Sequence, residues 1–74
     1  DLVKVVKNMA EDGRIAVRAA RRAARQELDK LSKDGDASSD DVVRAEKQVD
    51  QLTHDREHDI NAALAQKEQE LLEV

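Results

Sequence analysis

Asp34-Gly35-Asp36-Ala37-Ser38-Ser39-Asp40-Asp41 is the only cluster of turn-forming residues in a chain of 74, and its reading decides the fold. On either side the sequence is dominated by Ala, Leu, Glu, Lys, Arg and Gln, which lose little on entering a helix. The chain has no Pro and only two Gly, so it has few places to turn. Gly35 can take the left-handed conformation that closes a helix C-terminus, just after Lys30 and Lys33 complement the dipole. Ser38 suits an N-cap, with Asp41 three residues on as a short capping-box acid and Ala37 and Val42 as a weak hydrophobic staple. Asp40 and Asp41 favour the positive helix start. So short a connection makes long helices antiparallel neighbours. The reading is an all-α chain, a long antiparallel two-helix hairpin with a helix over 1–33, a turn over 34–38 and a helix over 39–73. Each arm of ~33 residues would be about 50 Å long at 1.5 Å per residue.

Working outward from the turn, the first helix carries a seam at Val6, Met9, Gly13, Val17, Ala20, Ala24, Leu28 and Leu31. Its steps make an 11-residue repeat, about 3.67 residues per turn, which favours a nearly straight or slightly right-handed pair. Gly13 costs roughly 1 kcal/mol against Ala, which a helix this long absorbs, and permits close packing or a slight bend. A second stripe of Leu2, Val5, Ala16, Ala19 and Ala23 lies beside the seam, and two adjacent stripes make a face wide enough for two neighbouring helices. The hairpin supplies one. The chain is therefore expected to be part of a three-helix bundle, or to complete itself as a homodimer when isolated. In the second helix the seam runs Val42, Ala45, Val49, Leu52, Ile60, Ala63, Leu64 and Leu71, interrupted by Arg56 and Lys67, whose long stems can lie along apolar surface.

Composition removes several function classes. The absence of Cys excludes disulfides and thiolate metal sites, and the absence of Phe, Trp and Tyr excludes aromatic stacking on bases. No apolar run approaches the ~18 residues of a membrane span. The chain opens on Asp1 without a start Met or signal peptide, and is expected to be a fragment of a soluble, cytoplasmic protein. The net charge of −4 conceals a division: residues 1–33 carry 9 basic and 5 acidic side chains, residues 34–74 carry 4 basic and 12 acidic. A polyanion partner would have to approach one surface only.

That surface is set by Arg14-Ile15-Ala16-Val17-Arg18-Ala19-Ala20-Arg21-Arg22-Ala23-Ala24-Arg25, which holds five Arg and no acid. On a helix Arg14, Arg18, Arg21 and Arg25 fall within an arc of about 60°. Lys7 shares the line, Lys4 and Arg22 border it, and Ala16, Ala20, Ala23 and Ala24 lie opposite. Steps of three and four residues advance ~5 Å, comparable with phosphate spacing along a nucleic-acid strand. The guanidinium fork binds phosphate bidentately. The expectation is that the alanines pack and that Arg14, Arg18, Arg21, Arg22 and Arg25 face water, and by itself the stripe points to a polyanion or an acidic protein surface. The rival reading makes the stripe a structural face, tied to acids on neighbouring helices or on an acidic protein partner.

Other candidate chemistry is thin. His54-Asp55-Arg56-Glu57-His58 matches the H-x-x-E-H pattern of inverted zincins, but no further ligand follows at helical spacing and no cleft would enclose a metal-bound water, so both histidines read as surface residues. The serines and Thr53 lack a nearby base and read as caps or surface. A two-helix hairpin has no enclosed pocket in which carboxylate pKa values could be tuned. Neither enzymatic activity nor a metal or other cofactor is expected.

Together these residues resemble the C-terminal part of bacterial ribosome recycling factor, along the full length of the chain. The matching stretches are Leu2-Val3-Lys4, the block with Arg14, Arg18, Arg21 and Arg22, the acidic turn with Ser38-Ser39-Asp40-Asp41, and Gln51-Leu52-Thr53. Ile60 with Leu64, and an ending of Lys67, Glu68, Glu70, Leu71, Leu72, Glu73 and Val74, complete them. The family usually has Asn at position 19 and often at position 25, where this chain has Ala19 and Arg25. It commonly places aromatic or apolar residues near positions 56–57, where this chain has Arg56 and Glu57. The resemblance implies helices two and three of a three-helix domain I, the missing first helix accounting for the unused apolar stripe. It further implies a non-enzymatic factor that acts with elongation factor G and GTP hydrolysis to split the post-termination ribosome. Its rod lies along large-subunit ribosomal RNA, with contacts from Arg14, Arg18, Arg21 and Arg22, Arg21 foremost; Arg25 joins them on stripe geometry.

Overall fold

The computed structural model of the chain describes residues 1–73; Val74 lies outside them. Two helices, α1 (Leu2–Lys33) and α2 (Ser39–Leu72), pack against each other as an antiparallel hairpin, and no strand occurs among the described residues. The Cα trace extends over 57 × 16 × 8 Å, a single layer of two rods. The expected bounds shift by one residue at each outer end, where Asp1 and Glu73 are caps rather than helical residues.

The turn is built by local chemistry. Gly35 has φ 73°, and its N–H donates to the Ser32 carbonyl at 3.2 Å while Asp36 N–H donates to the Leu31 carbonyl at 3.0 Å. This pair of bonds is the Schellman arrangement, which satisfies the last carbonyls of α1 and reverses the chain. Ser38 Oγ accepts from Asp41 N–H at 3.2 Å, as an N-cap should. The Asp41 carboxylate meets Arg44 at 3.4 Å instead of completing a capping box. At the far end, Asp1 caps α1 by accepting from Lys4 N–H at 2.8 Å, a role the sequence reading left unassigned.

The reversal fixes the register. Arg25 meets Glu46, Arg21 meets Asp50, Arg18 meets Glu57, and Gly13 faces Ile60, so partners are nearly equidistant from Asp36 and Ala37 all along the rod. Val42, beside the turn, is the one buried residue among those described. Elsewhere the interface is half-covered: Val3, Val6, Ala10, Val17, Ala24 and Leu28 on α1, and Ala45, Val49, Thr53, Ile60, Leu64 and Leu71 on α2.

Both expected seams need correction. Met9, Ala20 and Leu31 on α1, and Leu52 and Ala63 on α2, are exposed rather than central, with Met9 66% and Leu52 57% accessible. The helices meet along lines rotated toward the arginines, which brings the guanidiniums within reach of acids on α2. The displaced apolar residues border shallow open grooves along one side of the hairpin, where Met9 and Ala63 stand near Ile60, and Ala20 and Leu52 near Val17 and Val49. Arg56 lines that groove, as its long stem permits. The wide apolar face foreseen on α1 is thus open, with Leu2 and Val5 also exposed.

A Cβ built on Gly13 would lie 3.3 Å from Ile60 Cδ1, the end of a flexible side chain that can yield by a few tenths of an ångström. One built on Gly35 meets nothing, but the positive φ is strained for any L side chain. Gly13→Ala is therefore expected to stabilise the fold by about 0.5–1 kcal/mol, and Gly35→Ala to destabilise it by about 1 kcal/mol. Urea denaturation followed by helical circular dichroism checks this, and midpoints moving in the same direction would contradict it.

Candidate nucleic-acid interface

Four of the five arginines of α1 are paired. Arg18 Nε donates to Glu57 Oε1 at 2.7 Å, and Arg21 Nε donates to Asp50 Oδ1 at 2.8 Å. Arg25 spans two acids, with Nη2 3.2 Å from Glu46 Oε2 and Nη1 3.5 Å from Asp50 Oδ2. Arg14 donates from Nη1 to Asn61 Oδ1 at 2.8 Å and pairs with Glu11 on its own helix at 3.1 Å. The expectation that the arginines stand opposite the packing face as solvated charges is corrected for these four, which form a ladder beside the helix contact, Arg18 still exposed. The cause is geometric. α2 docks on the line through Val17, Ala24 and Leu28, which lies between the alanine arc and the arginine arc, so both flank the contact. The run 14–25 holds no acid of its own, but Glu11 one turn before it and the acids of α2 supply partners.

The ladder is nearly neutral: Arg14, Arg18, Arg21 and Arg25 stand against Glu11, Glu46, Asp50 and Glu57. The hydrogen bond from Arg18 to Glu57, followed by the charge of Glu57, raises the Arg18 pKa above the ordinary guanidinium value. Arg22 is exposed, on the outer side of the stripe, and forms no ion pair among the described residues; Lys4 and Lys7 are in the same condition. Surplus positive charge on this side of α1 thus belongs to Arg22, Lys4 and Lys7. The paired arginines retain unused N–H donors, because Arg18 and Arg21 are engaged through Nε alone.

The rest of α2 is solvated. His54 and His58 are exposed, Arg56 pairs with Asp59 at 3.3 Å, and Lys67 pairs with Glu70 at 3.2 Å. No group of three or more His, Asp or Glu among the described residues is placed to hold a metal ion. No helix is long and apolar enough to cross a membrane.

The fold and the stripe define a class: a helical rod that presents ordered arginines along one edge and an open apolar groove along the other. The chain belongs to the ribosome recycling factor family, whose model matches residues 1–72. It is 50% identical over its whole length to the ribosome-recycling factor of Acidothermus cellulolyticus and 50% to that of Mycolicibacterium vanbaalenii. The factor of Corynebacterium aurimucosum is 46% identical over the same 74 residues. The chain spans 40% of the length of each of these relatives. No solved structure matches it.

Asp50 is the most shared acid of the ladder, taking both Arg21 and Arg25. Both ends of these pairs are partly exposed, so each is worth no more than about 1 kcal/mol. Asp50→Asn should lower stability by roughly 0.5–1 kcal/mol, with the loss shrinking as salt screens the native pairs. Denaturation at low and high salt reads this; a salt-independent loss would point to packing instead of charge.

Proposed function

We propose that this chain serves in ribosome recycling after translation termination, as part of a rod that lies along large-subunit ribosomal RNA. With elongation factor G, the rod splits the post-termination ribosome into subunits in the cytoplasm. The chain's part is binding without catalysis, and nucleotide hydrolysis belongs to its partner. The observation that carries the reading is family membership over residues 1–72 combined with the arginine register within it. Arg14, Arg18, Arg21 and Arg22 match the family's block, and Arg25 extends the stripe by geometry. The relatives that bear the name are longer, so the whole activity is assigned to the longer protein.

Arginine suits this contact because its planar fork meets phosphate with two parallel hydrogen bonds. Arg22 offers its whole fork, while Arg18 and Arg21 offer what Nε does not use. The ladder favours a second, structural reading, in which the stripe pairs with acids. Within the hairpin that pairing coexists with a phosphate contact, since no paired arginine spends all five of its donors. An acidic protein partner in place of RNA is the form of that reading that competes.

Arg22→Ala separates them. It should weaken binding to large ribosomal subunits, reduce the salt dependence by up to about one unit of slope, and change stability by no more than ~0.5 kcal/mol. Arg21→Ala should weaken binding as well and also melt slightly earlier, because Asp50 loses its shortest partner. Affinities unaltered in both variants would sink the reading.

The open groove belongs to the same picture. In the longer protein a third helix would cover it. Among the described residues one side chain is buried, which is too little core for a hairpin to stand alone. The isolated chain therefore pairs with a second copy through its grooves, as a four-helix dimer. Sedimentation at micromolar concentration should give twice the chain mass, and a folded monomer would refute the pairing.

A further inference from the structure

Of the ladder's contacts, the one between Arg18 and Glu57 is the shortest at 2.7 Å, and it is unequal. The Glu57 side chain is 27% accessible and that of Arg18 51%, so the acid sits against the hairpin and the guanidinium projects beyond it. Only Nε of Arg18 donates to a protein acceptor among the described residues, which leaves both terminal nitrogens unengaged. A bond at Nε orients the guanidinium plane while leaving the edge between Nη1 and Nη2 for an incoming phosphate.

We infer that Glu57 is a positioning residue for Arg18: it holds the guanidinium at Nε so that the Nη1–Nη2 edge is presented, already ordered, to an RNA phosphate. The inference rests on the ribosomal-RNA reading above. A free arginine loses rotamer freedom when it meets phosphate; one already held has lost that freedom on folding and binds at less entropic cost. The carboxylate's charge acts the other way, since an anion beside the phosphate repels it. The two effects are separable because Gln keeps the acceptor oxygen and drops the charge, whereas Ala drops both.

The experiment compares two uncharged variants, Glu57→Gln and Glu57→Ala, in the complete protein binding large ribosomal subunits at several salt concentrations. Glu57→Gln should bind at least as tightly as the native protein. Glu57→Ala should bind about two- to tenfold more weakly than Glu57→Gln, the range expected for one long side chain left to be ordered at contact. In an Arg18→Ala background the difference between Gln and Ala should vanish, because the acid acts through that arginine. Melting curves of both variants guard against a folding defect, and Glu57→Met, with a stem of similar length and no acceptor, repeats the Ala comparison if Ala unfolds the protein. Equal affinity of Glu57→Gln and Glu57→Ala would overturn the positioning role and leave only a charge effect. If Arg18→Ala and Arg22→Ala both bind normally, the RNA reading itself fails, and the positioning role with it. If those two weaken binding while Gln and Ala at position 57 agree, the RNA reading stands and only the positioning role is lost.

Discussion

A single reversal at Gly35 determines what every other side chain in the hairpin can meet. Its positive φ and the two bonds from Gly35 and Asp36 back into α1 end one helix, and Ser38 starts the next almost at once. With so little slack in the connection, α2 runs back along α1 in one register. That register carries Glu46, Asp50, Glu57 and Asn61 past Arg25, Arg21, Arg18 and Arg14 in turn. A longer or looser turn would let the helices slide, and a slide of two residues would rotate each acid to another face of α2.

What the register assembles is unusual in its balance. Apolar contact is confined to a narrow, half-covered line, with Val42 the one buried side chain among the described residues. The charged ladder lies beside that line, with Arg21 reaching the edge of the groove. Exposed ion pairs contribute little each, so the ladder serves orientation more than stability. It decides which side of the contact is closed by guanidiniums and which side remains an open groove. The two edges of the rod thereby become chemically different, one suited to polyanions and the other to apolar surface.

The turn was legible because its chemistry is local: a glycine for the left-handed residue, a serine whose hydroxyl caps the next helix, and lysines before the break each act within a few residues. The direction in which α1 faces α2 was less legible. Alanine gives a weak apolar signal, so the stripe through Ala16, Ala20 and Ala23 and the line through Val17, Ala24 and Leu28 looked like parts of one wide face. Only α2 chooses between them. Glu46, Asp50 and Glu57 carry no partner in the sequence taken alone, because a helix considered by itself does not contain its neighbour. A signal did exist. Reflected through the turn, the positions of Arg14, Arg18, Arg21 and Arg25 fall within about two residues of Asn61, Glu57, Asp50 and Glu46, a symmetry that a short connection makes meaningful. Glu57, which the resemblance marks as a departure, finds its partner in Arg18.

The proportions of the rod have a mechanical consequence. A body 57 Å long and one helix layer thick acts as a lever. A tilt of roughly 10° about one end sweeps the other through about 10 Å, nearly the diameter of a helix. Because both arms are continuous α-helix from cap to cap, the backbone has no soft joint along its length in which such a tilt would be absorbed. A push delivered at one tip is handed to the other almost undiminished.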